Sequence, residues 1–497
     1  MTIPLHFPIG TSVPVYCIDW IAPDVLVYAG GGGKSKTGVG NWLRALYVPA
    51  TARSSSDVSV LAEVKLSSDE DAPMCMAVDA TKTKTIVLGI NEAGTQAADA
   101  KNRMLRMFRY EIQPSETGGQ PVITFTPEAS APSLNLKDAS DSYLRLLSFS
   151  PSSSQLVAAS TEGSYAVHDF PSLQKSFNPT LDFDGEEIMD ADFSQAGGQL
   201  VVCSGKRLKI FGTYPAPVDD TANPSEDVAI SKTEATLAIN ASLGLGPKSS
   251  QADVEGTKAA QDAARSLGSP PVWHTIQNPA LGGEGGCEFR AVRFGKSSKL
   301  SGQDDKTEES TTLLTVVNAK ASTGGGKGKR SKRKSFLTSW SLPDLNMTQT
   351  RQLSEKPVTT FNISPSGRLL AYGSSDLSVG VVDADTLRVR MRVLESHAFP
   401  ATGISWSPAP VSSGQTEGKN GKGKAEDVKP DPIHDNSWLA SCSADGSLRL
   451  IRVPSDGATA GAFTSLLTGS NQFNLVIVVF LTLLILLLSL YVQKKLL

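Results

Sequence analysis

The stretch "VTTFNISPSGRLLAYGSSDLSVGVVDADTLRV", residues 358–389, indicates the fold of this chain. It contains a short strand that ends at Ser-Pro, a strand of small apolar residues, a polar turn, and a strand in which apolar and polar residues alternate. Short strands that are separated by turn residues in this way pair as antiparallel hairpins. The stretch therefore predicts one antiparallel sheet unit.

The same template recurs along the chain. Clear copies occupy residues 144–170, residues 188–212, and "ATGISWSP" followed after an insertion by residues 437–453. The serines at the ends of the first strands are regularly spaced, because Ser194 follows Ser150 by 44 positions and Ser407 follows Ser364 by 43. A period of about 40–45 residues with four strands per unit is typical of WD-repeat propellers.

Two departures from the usual WD repeat are visible. His168-Asp169 and Val382-Asp383 stand where a Trp-Asp pair is expected, so we interpret the repeats as divergent. Three weaker copies complete the set: "VYCIDWIAPDVLVYAGGGG…NWLRALYV" is the first, "MCMAVDATKTKTIVLGINE…RMLRMFRYEI" the second and "EFRAVRFGKSSKL…TLLTVVNAK…SFLTSWSL" the fifth. The sequence thus predicts an all-β fold, a seven-bladed β-propeller over residues 1–454 that closes into a ring with few exposed edges.

Three polar stretches interrupt this propeller as insertions, at residues 214–284, 321–334 and 411–432. The second contains "GGGKGKRSKRK", with six basic residues between Lys327 and Lys334. Such a run is typical of a nuclear or phospholipid-headgroup signal, or of a solvated loop, and we favour the solvated loop.

The end of the sequence predicts a membrane anchor. Residues 475–492, "LVIVVFLTLLILLLSLYV", carry no charge, and as a helix they would be about 27 Å long, close to the hydrocarbon thickness of the endoplasmic reticulum membrane. Residues 455–474 form a polar tether, and residues 493–497 a short lumenal tail.

The orientation of this anchor is argued from both ends of the chain. We find no signal peptide in "MTIPLHFPIG", and this favours a cytosolic location for residues 1–474. Lys494 and Lys495 oppose this orientation under the positive-inside rule, and the terminal "KKLL" resembles a dilysine retrieval signal. The basic tail also leaves the mitochondrial outer membrane open as a target.

Composition excludes several functions. The formal net charge is -3, so no nucleic-acid partner is expected. The five cysteines are far apart and form no CxxC pair, which argues against a disulfide framework or the usual zinc site. There is no GxSxG or HExxH motif, and we interpret the isolated His168, His397 and His434 as structural.

The stretch "YAGGGGKSKTGVGN", residues 28–41, has some features of a phosphate-binding P-loop. That motif needs Gly, four residues and Gly-Lys-Ser/Thr between a strand and a helix, but Tyr28 is the residue five positions before Gly33. Gly38 and Gly40 disfavour a helix, and "NWLRALYV" alternates like a strand. The stretch therefore predicts a glycine-rich loop between two strands, either floppy or shaped for a partner.

The loop and the architecture together resemble a known family. A cytosolic seven-bladed propeller, a C-terminal anchor and "GGGGKSKTGVGN" in the first blade look like the endoplasmic reticulum guanine-nucleotide exchange factors for the Sar-family small GTPase, which starts COPII coat assembly. The most specific part is Gly30 to Asn41, which matches the K loop of that family. Elsewhere the similarity is architectural only.

The resemblance implies that the K loop binds a potassium ion and contacts the GTPase. Glycines adopt positive φ and let backbone carbonyls converge, and such carbonyls can replace the water shell of potassium. We expect the ion to be held by carbonyls of Gly30, Gly31, Gly32 and Gly33, with Asn41 as a polar anchor. The expected contacts to the GTPase are Lys36, Thr37, Val39 and Asn41.

The function that the resemblance implies is exchange without covalent chemistry. The protein would bind the nucleotide-free GTPase best, so that GDP leaves and GTP is loaded at the endoplasmic reticulum membrane. The alternative is a membrane-tethered WD-repeat scaffold without exchange activity, since propellers serve many roles. A nucleotide-hydrolysing enzyme is a third class, and the missing P-loop glycine argues against it.

Overall fold

A computed structural model of the chain describes residues 5–453 apart from these gaps: 35–37, 93–101, 116–118, 135, 137–141, 178–182, 184, 213–271, 280, 282–285, 296, 299–308, 321–332, 343–344 and 409–437. The chain separates into two units. The first comprises residues 1–410 with 438–451 and holds the sheets described below. Of the second, residues 411–437 with 452–497, only residues 452 and 453 are described.

The described residues form seven four-stranded antiparallel sheets, one for each predicted blade. Strands are numbered from His6–Gly10 (β1). Blade one comprises Val15–Ala22 (β2), Val25–Gly30 (β3), Asn41–Tyr47 (β4) and Ser59–Leu66 (β5), with a 3-10 turn at Ser55–Asp57. Blade two comprises Cys75–Asp79 (β6), Thr85–Gly89 (β7), Leu105–Gln113 (β8) and Val122–Ala131 (β9). Blade three comprises Leu144–Phe149 (β10), Gln155–Ser160 (β11), Tyr165–Asp169 (β12) and Lys175–Phe177 (β13).

The remaining four blades follow the same order. Blade four comprises Ile188–Phe193 (β14), Gln199–Ser204 (β15), Arg207–Gly212 (β16) and Val272–Gln277 (β17). Blade five comprises Cys287–Phe294 (β18), Thr312–Ala319 (β21), Ser335–Ser341 (β22) and Asn346–Ser354 (β23), and carries a two-stranded ribbon of Ser297–Ser298 (β19) and Glu309–Ser310 (β20). Blade six comprises Leu369–Ser374 (β25) between Val358–Ile363 (β24) and Val379–Asp383 (β26), with Val389–Val393 (β27) outside. Blade seven comprises Ala401–Trp406 (β28), Trp438–Ser443 (β29), Ser447–Arg452 (β30) and β1.

The first strand of each blade lies innermost and contacts the first strand of the next, and β28 of blade seven contacts β2 of blade one. The blades therefore close into a ring, and the predicted seven-bladed β-propeller is confirmed. Each blade is covered by neighbours on both faces, so its second strand need not alternate. Accordingly every residue of β11, β15, β25 and β29 is buried.

The regularly spaced serines have a common structural role. The backbone N–H of Ser150 donates to the carbonyl of Gln155 at 2.9 Å, and its hydroxyl accepts from the backbone N–H of Gln155 at 3.1 Å. The other three serines make the same pair of contacts with the first residue of their second strands, which are Gln199, Leu369 and Trp438. A small hydroxyl residue at this point thus closes the tight connection between first and second strands, which explains the period of the sequence.

The sequence analysis predicted a closed ring but missed the strand that closes it. Strand β1 pairs with β30 as the outer strand of blade seven, with His6 opposite Ile451 and Gly10 opposite Ser447. Residues 6–10 therefore belong to the last blade. Phe7 is buried there, with its ring centroid 5.9 Å from that of Trp438 in an edge-on arrangement.

The predicted insertion at 214–284 needs a correction. Strand β17, Val272–Gln277, lies inside that range and pairs with β16 as the outer strand of blade four. An Ala/Ser/Pro/Gly-rich composition concealed this strand, because an outer strand packs on one side only and needs little apolar alternation.

Several predicted segments lie outside the described residues. They are the insertion 411–432, residues 321–332 of the basic insertion, the tether 455–474, the span 475–492 and the tail 493–497. Within the part of the chain that is described, no helix is long and apolar enough to cross a membrane.

Candidate functional site

The K loop connects two paired strands of blade one. Gly30 ends β3 and Asn41 begins β4, and these strands are hydrogen-bonded from Val25 opposite Tyr47 to Gly30 opposite Trp42. A strand therefore follows the loop where a P-loop requires a helix, so the exclusion of a P-loop is confirmed. Lys36 and Thr37, two of the predicted GTPase contacts, lie outside the described residues.

Asn41 is the structural anchor of the loop. Its side chain is 1% exposed, and its Oδ1 accepts a hydrogen bond from the backbone N–H of Gly33 at 2.9 Å. Its Nδ2 donates to the carbonyls of Ser67, Glu70 and Asp71 at 2.8, 3.2 and 3.3 Å. One amide thus ties the K loop to the β5–β6 connection, and its burial makes it a poor candidate for direct contact with a GTPase.

The loop approaches Asn41 so closely that only glycine fits at residue 31. Gly31 has φ of 151°, and a Cβ placed there would lie 2.2 Å from Asn41 Oδ1 and 2.7 Å from the carbonyl oxygen of Gly40. Two neutral oxygen atoms therefore border the space beside the Gly31 backbone.

The other predicted glycine ligands differ in their surroundings. Gly30 belongs to the β3 ladder, and a Cβ there would lie 2.0 Å from the carbonyl oxygen of Pro14. Gly33 adopts φ of 60°, which favours glycine. Gly32 and Val39 are half-buried, and Gly38 is exposed with φ of 79°. The loop backbone is thus shaped by close approach at its base and by left-handed residues towards its tip.

A network between blades one and two supports the loop from outside. Asp71 pairs with Lys34 of the loop, with Nζ and Oδ1 3.2 Å apart, and it accepts a hydrogen bond from Asn91 Nδ2 at 3.2 Å. Arg106 reaches Glu70 at 2.7 Å and Glu92 at 3.6 Å. The β5–β6 connection therefore links the K loop to the β7–β8 connection of blade two.

Sequence reasoning missed this support. The sequence feature that corresponds to this support is the acidic stretch "SSDEDAP", residues 67–73, which directly precedes an apolar strand. An acidic stretch of this kind is usually solvated, and only the fold brings its carbonyl oxygens to Asn41.

The donor set around the loop base suits potassium. The oxygens near Gly31 come from a carbonyl and an amide, and the charge of Lys34 is offset by Asp71. Neutral oxygens can replace the water shell of a monovalent cation. The residues present therefore fit the ion that the resemblance implies, with Gly40 joining Asn41 as a candidate ligand.

The histidines and cysteines show no sign of catalysis. His168 is fully buried and bonds to Ser133 Oγ at 2.9 Å and to the carbonyl of Leu173 at 3.1 Å. His397 lies between the hydroxyls of Ser447 and Ser441, at 2.9 and 2.8 Å. Both are structural, as predicted, whereas His434 lies outside the described residues. All five cysteines are free thiols, and no group of metal-binding side chains occurs among the described residues.

The channel of the propeller contains a cavity with a volume of about 690 Å³. Inner strands of all seven blades line it. The described K-loop residues do not, because the loop leaves blade one farther from the axis. The loop and the channel are thus separate features of the propeller.

The WD domain, G-beta repeat family matches residues 431–452 of the chain, which include β29 and β30. Blade seven contains a WD40 repeat. The predicted WD-repeat propeller is thereby supported by sequence as well as by the strand order of the seven sheets. Comparison with the sequences of curated proteins gives no match.

Solved structures with a similar fold include Sqt1 and Raptor of Chaetomium thermophilum. One Sqt1 structure is 12% identical with a TM-score of 0.48, over 90% of this chain and 98% of that chain. A second Sqt1 structure is 14% identical with a TM-score of 0.48, over 92% and 99%. Raptor is 11% identical with a TM-score of 0.49, over 90% of this chain and 29% of that chain. Because these TM-scores are below 0.5, the similarity adds no evidence to the propeller fold that the strand order establishes.

Proposed function

We propose that the protein is a guanine-nucleotide exchange factor for a Sar-family small GTPase at the endoplasmic reticulum membrane, where GTP loading starts COPII coat assembly. The observation that carries this proposal is the K loop itself, whose base is held by four hydrogen bonds of the buried Asn41. A glycine-rich loop whose base is fixed in this way would meet a partner without the entropy cost of ordering that base.

The loop would act on the GTPase by shape and not by chemistry. Val39 and the segment with Lys36 and Thr37 would contact the phosphate and switch regions, so that GDP is held less tightly. Each 1.36 kcal/mol by which the release barrier falls gives a tenfold faster exchange. Excess GTP in the cell would then set the direction.

A potassium ion is proposed to be part of this loop. Gly40 and Asn41 would hold it together with carbonyls from the glycine run at residues 30–33. When bound, the ion would stiffen the loop by drawing its carbonyl oxygens together. Lys34 would stay paired with Asp71 and so leave the ion site free of a competing positive charge.

Membrane attachment completes the proposal. Residues 475–492 would span the membrane and residues 455–474 would tether the propeller to it. Confinement near the surface would raise the effective concentration at which a membrane-binding GTPase meets the loop.

A scaffold is the second candidate function, because an apolar surface lies at the same end of the propeller. Leu394 and Phe399 are 67% and 58% exposed in the connection before β28. The hydroxyl of Thr402 in β28 donates to the carbonyl of Val15 at 2.7 Å, and Val15 pairs with Gly30 at the base of the K loop. A partner could therefore cover both features at once.

The two candidates are separated by nucleotide release. The full chain in detergent micelles is added to a Sar-family GTPase loaded with fluorescent GDP. We expect faster release, a loss of about tenfold or more in the Lys36→Ala/Thr37→Ala variant, and slower release when potassium is replaced by sodium. Arg351→Ala, an exposed change on β23 of blade five, is the matched control and should have no effect.

Release at the spontaneous rate would overturn the exchange proposal. If the GTPase still binds, and Phe399→Ala weakens that binding, the scaffold is the better account.

A further inference from the structure

One residue from each blade forms a ring at the mouth of the channel. Six inner strands have a register shift near their start, at the second residue in five of them and at the fourth residue in β18. The bulged residue lines the channel and does not continue the ladder. Met74, directly before β6, takes this place in blade two. In blade order the ring is Tyr16, Met74, Arg145, Met189, Arg290, Thr359 and Thr402, and all seven residues line the cavity.

The ring carries two guanidinium groups, and one carboxylate outside the ring, that of Glu187, lies beside it. Arg145 pairs with Glu187, which precedes β14. Arg290 donates from Nη2 to the carbonyl of Thr359, and no carboxylate of the described residues lies within ion-pair distance of it. Burial first, and then repulsion from Arg145, lower the pKa of Arg290 to about 10. Two positive charges thus lie near each other at the cavity mouth, where Glu187 pairs with Arg145, and where Asp190 and Glu187 attract Arg290 without forming an ion pair with it.

The acidic groups deeper in the channel already form ion pairs or accept hydrogen bonds from other blades. Asp190 pairs with Arg293 and accepts the backbone N–H of Val292 at 3.0 Å. Asp192 accepts the N–H of Phe294 at 2.8 Å, and Asp19 accepts the hydroxyl of Ser405 at 2.7 Å. These carboxylates tie neighbouring blades together, and among the described residues none of them forms an ion pair with Arg290.

Two phenols also lie at the cavity mouth, that of Tyr16 in blade one and that of Tyr143 directly before β10 in blade three. Tyr16 and Tyr143 both line the cavity and are half-buried. Burial and the neighbouring Tyr143 raise the pKa of Tyr16, so its phenol keeps its proton at neutral pH and can donate it in a hydrogen bond. The hydroxyls of Thr359 and Thr402, in contrast, are used on the carbonyls of Ala401 and Val15.

We propose that this ring is a binding site for the phosphate group of a small soluble molecule, with Arg145 and Arg290 as its charged clamp and Tyr16 as a neutral donor. The site is independent of the K loop and of exchange activity. A volume of about 690 Å³ is in the range of pockets for small molecules, so the phosphate would be one part of a larger ligand.

Phosphate suits the two arginines better than the carboxylate of an acidic peptide does. The arginines belong to blades three and five, with one inner strand between them. A tetrahedral phosphate can accept a charge-assisted bond from each guanidinium and still has oxygens left for the phenol of Tyr16. A carboxylate can bridge both arginines, but it has only two oxygens and one negative charge for two cations.

The test is calorimetric titration of the full chain in detergent micelles with inorganic phosphate and, separately, with inositol hexakisphosphate, at constant ionic strength. We expect both probes to bind, and Arg290→Gln to weaken binding by about tenfold or more, since charge-assisted bonds are the stronger class. Gln keeps a donor for the carbonyl of Thr359, so the contact between blades five and six is retained. Arg351→Gln, on the exposed face of β23, is the matched control.

A second variant keeps the proposal testable if Arg290→Gln does not fold. Tyr16→Phe removes only the phenol oxygen and should weaken binding several-fold with an unchanged melting temperature. Vesicles that carry a phosphoinositide show whether the phosphate comes from a lipid headgroup or from a soluble molecule. If the ligand is soluble, we expect the vesicles not to compete with inositol hexakisphosphate for the channel. The proposal is overturned if neither probe binds, if Arg290→Gln binds as tightly as the unaltered chain, or if only an acidic peptide binds.

Discussion

At the scale of single residues, Asn41 has the clearest consequence. Asn41→Ala removes four hydrogen bonds and leaves the carbonyls of Ser67, Glu70 and Asp71 without their common donor. We expect the free energy of unfolding to fall by about 2–3 kcal/mol, because unsatisfied buried polar groups are costly. Thermal unfolding measures this.

Val39→Ala is the comparison for Asn41, since Val39 is half-buried in the same loop and has an apolar side chain that forms no hydrogen bonds. It should slow nucleotide release and leave the melting temperature unchanged. Equal melting temperatures for Asn41→Ala and Val39→Ala would show that Asn41 does not anchor the loop.

His397 predicts an acid-sensitive stability. Burial lowers its pKa from 6.5 to about 4, so the unfolded chain takes up a proton at a pH where the folded chain does not. The stabilisation is therefore complete above pH 6.5 and is lost as the pH falls towards 4, by up to about 3 kcal/mol. Urea unfolding at pH 7 and at pH 5 measures the slope.

His397→Gln is the control for that slope, because glutamine retains polar groups for the two serine hydroxyls and does not titrate. Its stability should depend less on pH than that of the unaltered chain. The same slope in both would assign the acid sensitivity to other groups, such as the buried His168, whose pKa is also lowered by burial.

At the scale of elements, the K loop is expected to tolerate no side chain at its base. Gly31→Ala would force a Cβ against Asn41 Oδ1 and Gly40 at a backbone angle that favours glycine. We expect a loss of about 1–3 kcal/mol of stability together with slower nucleotide release. Gly198→Ala in blade four meets nothing within 4 Å and should change neither quantity, so a similar loss in both would contradict the close approach at Gly31.

The elements also show what the sequence could predict. The first three strands of every blade were identified, because the aligned serines and the small apolar second strands follow from local hydrogen bonds and burial. The outer strands were not, since β23 reads "NMTQTRQLS" with seven exposed residues in succession and β17 lies in a polar stretch. The K loop was found from its glycines, but the β5–β6 connection that holds Asn41 was not, because that contact joins residues 26 to 30 positions apart.

The sequence could not predict the ring of channel residues that contains the two arginines either. Arg145 and Arg290 belong to blades three and five and share no local pattern, and only the register shifts of separate strands bring them to one level of the channel. Such a site depends on the closure of the ring as a whole.

At the scale of the whole molecule, that closure rests on β1, which joins the start of the chain to blade seven. Phe7→Ala would remove the buried ring that packs against Trp438 and should cost about 3–5 kcal/mol. It should also loosen β1 from β30, so that amide hydrogens of β30 exchange faster while those of blades three and four are unaffected.

Val60→Ala, at a position that is 57% exposed in the outer strand of blade one, is the control and should leave both measurements unchanged. Hydrogen exchange decides between local and global loss. If Phe7→Ala accelerates exchange equally in all seven blades, the propeller unfolds as one cooperative unit and β1 does not act as a separate closure. If exchange accelerates in β30 alone, the N-terminal strand is the weakest part of the ring. Binding of a phosphate compound in the channel should then leave the exchange rates of β30 unchanged.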